Sequence, residues 1–261
     1  MSQYKNQLYG VNQIVKEYPN TPVDNRYQSF PKGEIFGKMK ENKNLLSLRK
    51  AAQVHREMRA YLQPLIKPNV DLNDLVKNFE ETIKQKMGYQ GMNQGVGFPC
   101  TISINNCAAH WSPNSLENKI ITKDDIVKFD FGTEVNGWII DSAFSVAFDP
   151  KFEPLLKSSK EGTETGIKNA GVDVRLDEWG ESIREVMESY QIELNNKIYD
   201  IKSVKNLGGH NIENGEIHGG QFLPSFKFLS NDKMKEGIYA IETFATTGRG
   251  IVEEKKNFNS L

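Results

Sequence analysis

Apolar residues recur at helical spacing over two stretches in the first half of the chain. The first period starts at Leu45 and ends at a segment with two prolines, and the second covers residues 72–87. Residues three and four positions apart share one face of a helix, so we predict a helix over each stretch. Asp71 has the chemistry to cap the second helix, and Gly88 to end it.

Two strand-like apolar runs follow an irregular segment rich in glycine and asparagine. They cover residues 126–131 and 137–148 and are separated by a turn segment that ends in Asn136-Gly137. Asn-Gly between apolar runs is the strongest short-range signal of a β-hairpin. We therefore predict an antiparallel hairpin here.

The second half of the chain repeats this order of elements. Two helical stretches are followed by an irregular segment, residues 207–224, and by a predicted strand over residues 238–244. In both halves an apolar strand carries a carboxylate near its end, Asp130 in one and Glu242 in the other. A duplicated unit of this length predicts two related halves of one α+β domain with a site between them.

The pattern predicts the following organisation of the chain. We expect an N-terminal arm at residues 1–43 and one main domain at residues 44–261, with its halves at about 44–150 and 151–261.

Composition and charge argue against a nucleic-acid-binding or membrane protein. The 33 basic and 34 acidic side chains give a net charge of -1, so no overall field favours nucleic acid or an anionic membrane. No apolar run reaches the roughly 18 residues of a membrane span. Cys100 and Cys107 show no metal-binding spacing, which is typical of a reducing compartment. We expect a globular intracellular protein without a membrane or direct nucleic-acid partner.

Asp130 and Asp141 flank the Asn136-Gly137 turn within strongly apolar strands. If the turn has two residues, both side chains lie on one face of the hairpin as diagonal neighbours. Two unpaired carboxylates would repel one another there, and a cation is the simplest remedy. The alternative is that one aspartate faces solvent and the other caps a turn.

Three of the four histidines lie in the irregular stretches, whereas His55 falls within the first predicted helix and suggests a structural role. Carboxylates with one or two imidazoles favour Mn, Fe(II), Co or Zn in a paired site, which is typical of a hydrolase. The candidate residues for this centre are Asp130, Asp141, Glu242, His110, His210 and His218.

The chain resembles the type 2 methionine aminopeptidases of peptidase family M24, which have the pita-bread fold. The resemblance extends from about residue 48 to residue 252. It is carried by Gly97-Phe98-Pro99, Asn105-Asn106-Cys107-Ala108-Ala109-His110, Lys128-Phe129-Asp130-Phe131-Gly132-Thr133, Ile139-Ile140-Asp141, Asn206-Leu207-Gly208-Gly209-His210, Ile217-His218 and Tyr239-Ala240-Ile241-Glu242-Thr243-Phe244.

The resemblance implies that two divalent ions (Co, Mn, Fe(II) or Zn) are held by four side chains. Asp130 and Asp141 would be ligands, with Asp141 bridging the two ions. His210 and Glu242 would serve the second ion, and Glu242 would also relay the proton of the attacking water.

The resemblance also implies how substrate is bound. His110 matches the family's catalytic histidine near the scissile amide nitrogen, and His218 matches a histidine that contacts substrate and stabilises the intermediate. Phe98, Ile217 and Phe244 match the apolar pocket for the methionine side chain.

The implied activity is removal of the initiator methionine from nascent polypeptide N-termini in the cytoplasm, with preference for a small second residue. We expect a monomer, with the ribosome as a further partner. A proline-specific dipeptidase of the same fold is a weaker alternative, because the sequence motif around His110 matches that of the type 2 enzymes.

The chain departs from the family at its end. Type 2 enzymes continue to a final strand with a second bridging glutamate, whereas this chain ends at Leu261. Glu253 follows Glu242 at the spacing that separates Asp130 from Asp141, but it reads more simply as part of a solvated charge run. The sequence therefore predicts reduced activity, or alternatively a truncated, non-catalytic binding protein.

Overall fold

The computed structural model describes residues 8–9, 43–88, 93–113 and 119–254. These residues form two compact units. The first contains the chain up to Glu153 together with residues 210–221 and 237–240, and the second contains the remainder. The predicted N-terminal arm lies outside the described residues except for β1 (Leu8–Tyr9) and the first residue of the first helix.

Two helices begin the first unit. Helix α1 covers Lys43–Leu62 and leads through a short 3₁₀ turn into α2, Leu72–Met87. The Asp71 side chain caps α2 by accepting a hydrogen bond from the Asn73 amide at 2.8 Å. Gly88 ends α2 at a φ of 60°. Both predicted helices and both predicted end signals are confirmed.

An antiparallel sheet in the order β1-β4-β3-β2 faces these helices. Its long strands are β2 (Gln94–Ile104), β3 (Ile126–Val135) and β4 (Trp138–Ala147). Val135 pairs with Trp138, so Asn136-Gly137 forms a two-residue turn. Their φ values of 54° and 80° are those of a type I′ turn, which confirms the predicted hairpin.

The core of the first unit lies between the helices and one face of the sheet. Phe129 and Phe131 of β3 are fully buried there. His55 of α1 stacks on Phe131 with 4.0 Å between ring centroids, and its Nε2–H donates to the Phe131 carbonyl at 3.0 Å. The predicted structural role of His55 fits this buried position.

Two shorter strands complete the first unit. Strand β8 (Gly209–Ile212) pairs antiparallel with β10 (Ile238–Ala240), which places His210 opposite Ala240 and Ile212 opposite Ile238.

The second unit contains two helices and several short strands. Its elements are α3 (Glu153–Asn169), α4 (Leu176–Glu188), β5 (Gln191–Leu194), β6 (Lys197–Asp200), β7 (Lys202–Ser203), β9 (Phe222–Leu223) and β11 (Ala245–Thr246). Helix α3 lies so close to α4 that a Cβ at Gly162 would overlap the Met187 side chain. The Trp179 indole donates to the Gly166 carbonyl at 2.9 Å, which joins the same two helices.

The strand predicted over residues 238–244 is wrong in length. It ends at Ala240, and residues 241–244 lie in no strand. The reason is a change of hydrogen-bond partner: Thr243 Oγ1 donates to the Ser159 carbonyl of α3 at 2.8 Å. Phe244 then accepts a hydrogen bond from the Val204 amide at 2.9 Å.

Among the residues that the structure describes, no helix combines the length and the apolar character that crossing a membrane requires.

Replacing His55 should remove part of the acid sensitivity of the fold. Burial lowers the pKa of His55 to about 4, against 6.5 for an unperturbed histidine. The stability that neutral His55 contributes is therefore present above pH 6.5. It is lost as pH falls from 6.5 towards about 4, because the unfolded chain binds the proton more readily. We expect His55 to account for about 2 kcal/mol of the loss between pH 7 and pH 5.

Urea unfolding at both pH values would measure this effect in the wild type and in His55→Gln, which keeps a donor for the Phe131 carbonyl. The difference between the two proteins isolates His55, since their carboxylates titrate alike. An equal loss of stability in both would contradict the assignment.

Candidate metal and substrate site

Asp130 and Asp141 lie on the face of the hairpin opposite the helices. Asp141 pairs with Gly132, so Asp130 and Asp141 are diagonal neighbours across the two strands. Side chains alternate along a strand, and the buried positions of Phe129 and Phe131 turn Asp130 to the other face. The predicted juxtaposition of the two carboxylates is present.

The environment of Asp130 suits a metal ligand. Its Oδ1 atom is buried and has no hydrogen-bond partner among the described residues. Burial and the negative charge of Asp141 raise the pKa of Asp130 to about 7, while the charge of His210 acts in the opposite direction. A buried carboxylate oxygen without a donor is costly unless a cation neutralises it.

His210 of β8 joins this pair. Its Nε2 lies 3.2 Å from Asp141 Oδ2, and its Nδ1 lies 3.2 Å from the Asn211 carbonyl oxygen. Burial alone would lower the pKa of His210, but the hydrogen bond and charge of Asp141 outweigh it and raise that pKa. In the neutral ring, Nδ1–H can donate to Asn211 and leave the Nε2 lone pair for a metal.

These three donors fit a divalent ion by their chemistry. Two carboxylates and one imidazole suit Mn, Fe(II), Co or Zn. Within the described ranges, no group of three or more histidine, cysteine, aspartate or glutamate side chains is already arranged to hold a metal ion. In the present arrangement, Asp141 Oδ2 and His210 Nε2 lie within hydrogen-bond distance of one another.

Two further predicted residues differ in how closely they approach this group. The His218 ring contacts His210 edge-on, with 4.2 Å between centroids. Burial and the charge of His210 lower the pKa of His218, and His110 contributes in the same direction. His110 is exposed and has a φ of 63°, in the left-handed region.

An apolar cluster shares two strands, β4 and β8, with the polar donors. Its buried members are Ile139, Ile212 and Ala240, and Phe98, Ile217 and Ile238 pack against them. Ile139 lies two positions before Asp141, and Ile212 lies two positions after His210, so alternation places each pair on one face. Phe98 and Ile217, two of the three predicted pocket residues, are thus brought together.

Gly132 is a site residue that sequence reasoning missed. A Cβ at this position would overlap the Phe98 ring, so the ring can cover the strand only because residue 132 is glycine. The available signal was a glycine inside a strongly apolar strand, which often marks a close approach.

Glu242 and Phe244 belong to the second unit. Both side chains are partly buried there. Their roles as metal ligand and pocket residue stay predictions.

Glu253 forms an ion pair with Arg249, and 70% and 78% of the two side chains are exposed. This placement supports the simpler interpretation of a solvated charge run.

Comparison with known proteins indicates the family. The profile described as metallopeptidase family M24 matches residues 47–256. Methionine aminopeptidase 2-2 of Aspergillus niger is 43% identical over 251 residues, which cover 92% of this chain and 58% of that protein. Methionine aminopeptidase 2A of Arabidopsis thaliana is 48% identical over 209 residues, or 80% of this chain and 47% of that protein. The predicted resemblance to type 2 enzymes is confirmed, and the chain spans about half the length of these relatives.

Solved structures show the fold. The methionine aminopeptidase from Rickettsia prowazekii has a TM-score of 0.67 at 21% identity, covering 82% of this chain and 84% of that one. The prolidase from Pyrococcus furiosus has a TM-score of 0.59 at 15% identity, covering 78% and 60%. The predicted α+β pita-bread fold is confirmed. A methionine aminopeptidase and a prolidase share this fold, so the fold alone does not determine the substrate.

Removing the two hairpin carboxylates should abolish metal binding. We expect calorimetric titration of the metal-free protein with Mn²⁺ to give binding that is lost in the double variant Asp130→Asn with Asp141→Asn, since the neutral amides no longer offset the ion's charge. The matched control is Asp124→Asn with Asp149→Asn, a carboxylate pair beside Lys151 whose side chains are 60% and 36% exposed. Unchanged affinity in the first variant would show that the site is misassigned.

Substitution of Gly132 should destabilise the fold through Phe98. Gly132→Ala forces the ring to move, at a cost of about 1–3 kcal/mol in the free energy of unfolding. Gly171→Ala serves as the control because the nearest atom, Val174 Cγ2, would lie 3.5 Å from the new Cβ. Equal urea midpoints for the two variants would be evidence against the contact.

Proposed function

The chain belongs to metallopeptidase family M24, and within that family we propose that it is an aminopeptidase that removes N-terminal methionine from nascent polypeptides with a small second residue. The observation that carries this proposal is the apolar cluster with Phe98 and Ile217, whose members Ile139 and Ile212 lie on the same strands of the first unit as Asp141 and His210. A hydrolytic group beside an apolar recess is the arrangement that a methionine-specific enzyme requires.

Asp130, Asp141 and His210 would hold divalent metal. Glu242 enters the proposed ligand set through the family resemblance alone. When bound, divalent ions supply Lewis-acid polarisation of the scissile carbonyl and an activated water. The raised pKa of Asp130 and its unpartnered oxygen support this role, because they show a carboxylate that protein donors do not stabilise.

Two histidines would act on the substrate. His218 has a lowered pKa and is neutral at physiological pH, so its ring N–H can stabilise negative charge that develops on the carbonyl oxygen. His110 would donate a proton to the leaving amine nitrogen. Both side chains are exposed, which leaves them accessible to a peptide.

The apolar cluster would receive the methionine side chain. A flexible thioether adapts well to a recess lined by an aromatic ring and branched aliphatic groups. Phe244 joins this set through the family resemblance. The proposed partners are nascent polypeptide N-termini in the cytoplasm, with the ribosome as the place of encounter.

The test is hydrolysis of three peptides that differ only at the first residue. With Mn²⁺ or Co²⁺, we expect Met-Ala-Ser to be cleaved, norleucine-Ala-Ser to be cleaved more slowly and Lys-Ala-Ser to be resistant. Ile217→Ala should lower kcat/KM for Met-Ala-Ser by about tenfold or more, since it removes apolar contact with the side chain. Ile198→Ala, at an exposed position of β6, is the matched control.

Two results would contradict the proposal. Equal cleavage of the lysine peptide would exclude the methionine pocket. Binding of Met-Ala-Ser without hydrolysis would indicate the alternative, a non-catalytic binding protein.

A further inference from the structure

Asn211 connects β8 to the segment that carries His218. We call this segment, residues 213–221, the histidine loop. The Asn211 side chain accepts a hydrogen bond from the Gln221 amide at 2.7 Å and donates through Nδ2 to the Gly219 carbonyl at 3.2 Å. Its backbone donates to the Gln221 carbonyl at 3.1 Å and accepts from the Gly219 amide at 2.9 Å. One residue thus holds two points of the loop, Gly219 and Gln221, close to His218.

The surroundings are shaped to this contact. A Cβ at Gly219 would overlap the side-chain nitrogen Nδ2 of Asn211 and lie 2.8 Å from Glu213 Cγ, so the close approach requires glycine. Tyr239 pairs with Asn211 across β10 and β8, and its hydroxyl donates to Gln221 Oε1 at 2.7 Å. The Asn211 side chain is therefore one part of a connected network at this end of the loop.

The other end of the histidine loop has a separate anchor. Asn214 Nδ2 donates to the Asn136 carbonyl at 2.8 Å, and the Gly215 amide donates to the Gly137 carbonyl at 2.7 Å. His218 lies between the two anchors and directly precedes Gly219. Its side chain is exposed apart from the contact with the His210 ring, so the loop backbone and that contact together set the position of its ring.

We propose that Asn211 is a positioning residue that fixes His218 for the hydrolysis of methionine peptides. This inference rests on the proposed function and deepens it, because it names the group that sets the geometry of the substrate-contacting histidine. Asn211 acts through the loop backbone, with His218 as the group that touches substrate.

Amide hydrogen exchange tests the tether without any need for turnover. In Asn211→Leu, we expect the Gln221 amide to lose protection by about tenfold, because its acceptor is gone. Asn211→Asp retains a carboxylate acceptor and should keep the Gln221 amide protected. Asn214→Ala, which loses the other anchor's side-chain bond, should also keep it. An unchanged Gln221 amide in Asn211→Leu would overturn the proposal.

A double-mutant cycle separates positioning from a general loss of structure. Asn211→Leu should lower kcat for Met-Ala-Ser by about tenfold in the wild type. In the His218→Ala background it should lower kcat less than about twofold, because the group that it positions is absent. The same factor in both backgrounds would show a merely structural role and overturn the proposal.

The two measurements distinguish failure of this inference from failure of the proposed function. If the wild-type protein cleaves none of the peptides while Gln221 loses protection in Asn211→Leu, the aminopeptidase assignment and the catalytic purpose of the tether both fail, and the tether itself stands. If the peptides are cleaved and the cycle is additive, only the role of Asn211 fails.

Discussion

The alternation of side chains along β3 is the constraint on which the candidate site depends. Phe129 and Phe131 are fully buried between the sheet and the helices, and this burial fixes which way the strand faces. Asp130 must then lie on the opposite face, beside Asp141. A shift of one residue in the pairing would turn one of the two carboxylates into the apolar core, so the core residues enforce the register of the site. The type I′ turn at Asn136-Gly137 specifies the same register from the end of the hairpin.

The site is maintained at a cost to the rest of the fold. A carboxylate with a buried, unpartnered oxygen destabilises the metal-free protein, and Asp130 has one in the middle of a well-packed hairpin. Gly132, two positions later, contributes no side chain to the core and instead makes room for Phe98. Residues that lower the stability of the fold in this way are characteristic of functional sites.

The parts of the fold that depend on neighbouring residues could be predicted from the sequence. The cap at Asp71, the stop at Gly88 and the hairpin each depend on a few consecutive residues with a specific backbone preference. The diagonal placement of Asp130 and Asp141 followed, because a two-residue turn leaves only one register. The contact of His210 with Asp141 is different, since it requires β8 to approach β4, and these strands are distant in sequence.

Other features of the site could not be inferred from local patterns. Asn211 resembles any polar residue in a glycine-rich segment, and its hydrogen bonds to Gly219 and Gln221 exist only once the loop has folded back. The strand over residues 238–244 was predicted too long because an apolar run does not show where its hydrogen-bond partners change. Thr243 turns to Ser159, and that partner is distant in sequence.

The hydrogen bond between His210 and Asp141 makes metal uptake an exchange of ions for protons. The raised pKa values of His210 and Asp130 mean that both positions hold protons more readily than an isolated histidine or aspartate. An incoming divalent cation must release them, because only the deprotonated groups are ligands. Apparent affinity should therefore climb with pH, by up to about a hundredfold per unit where two protons leave together. At lower pH, hydrogen ions would therefore occupy the side chains that hold the metal at higher pH.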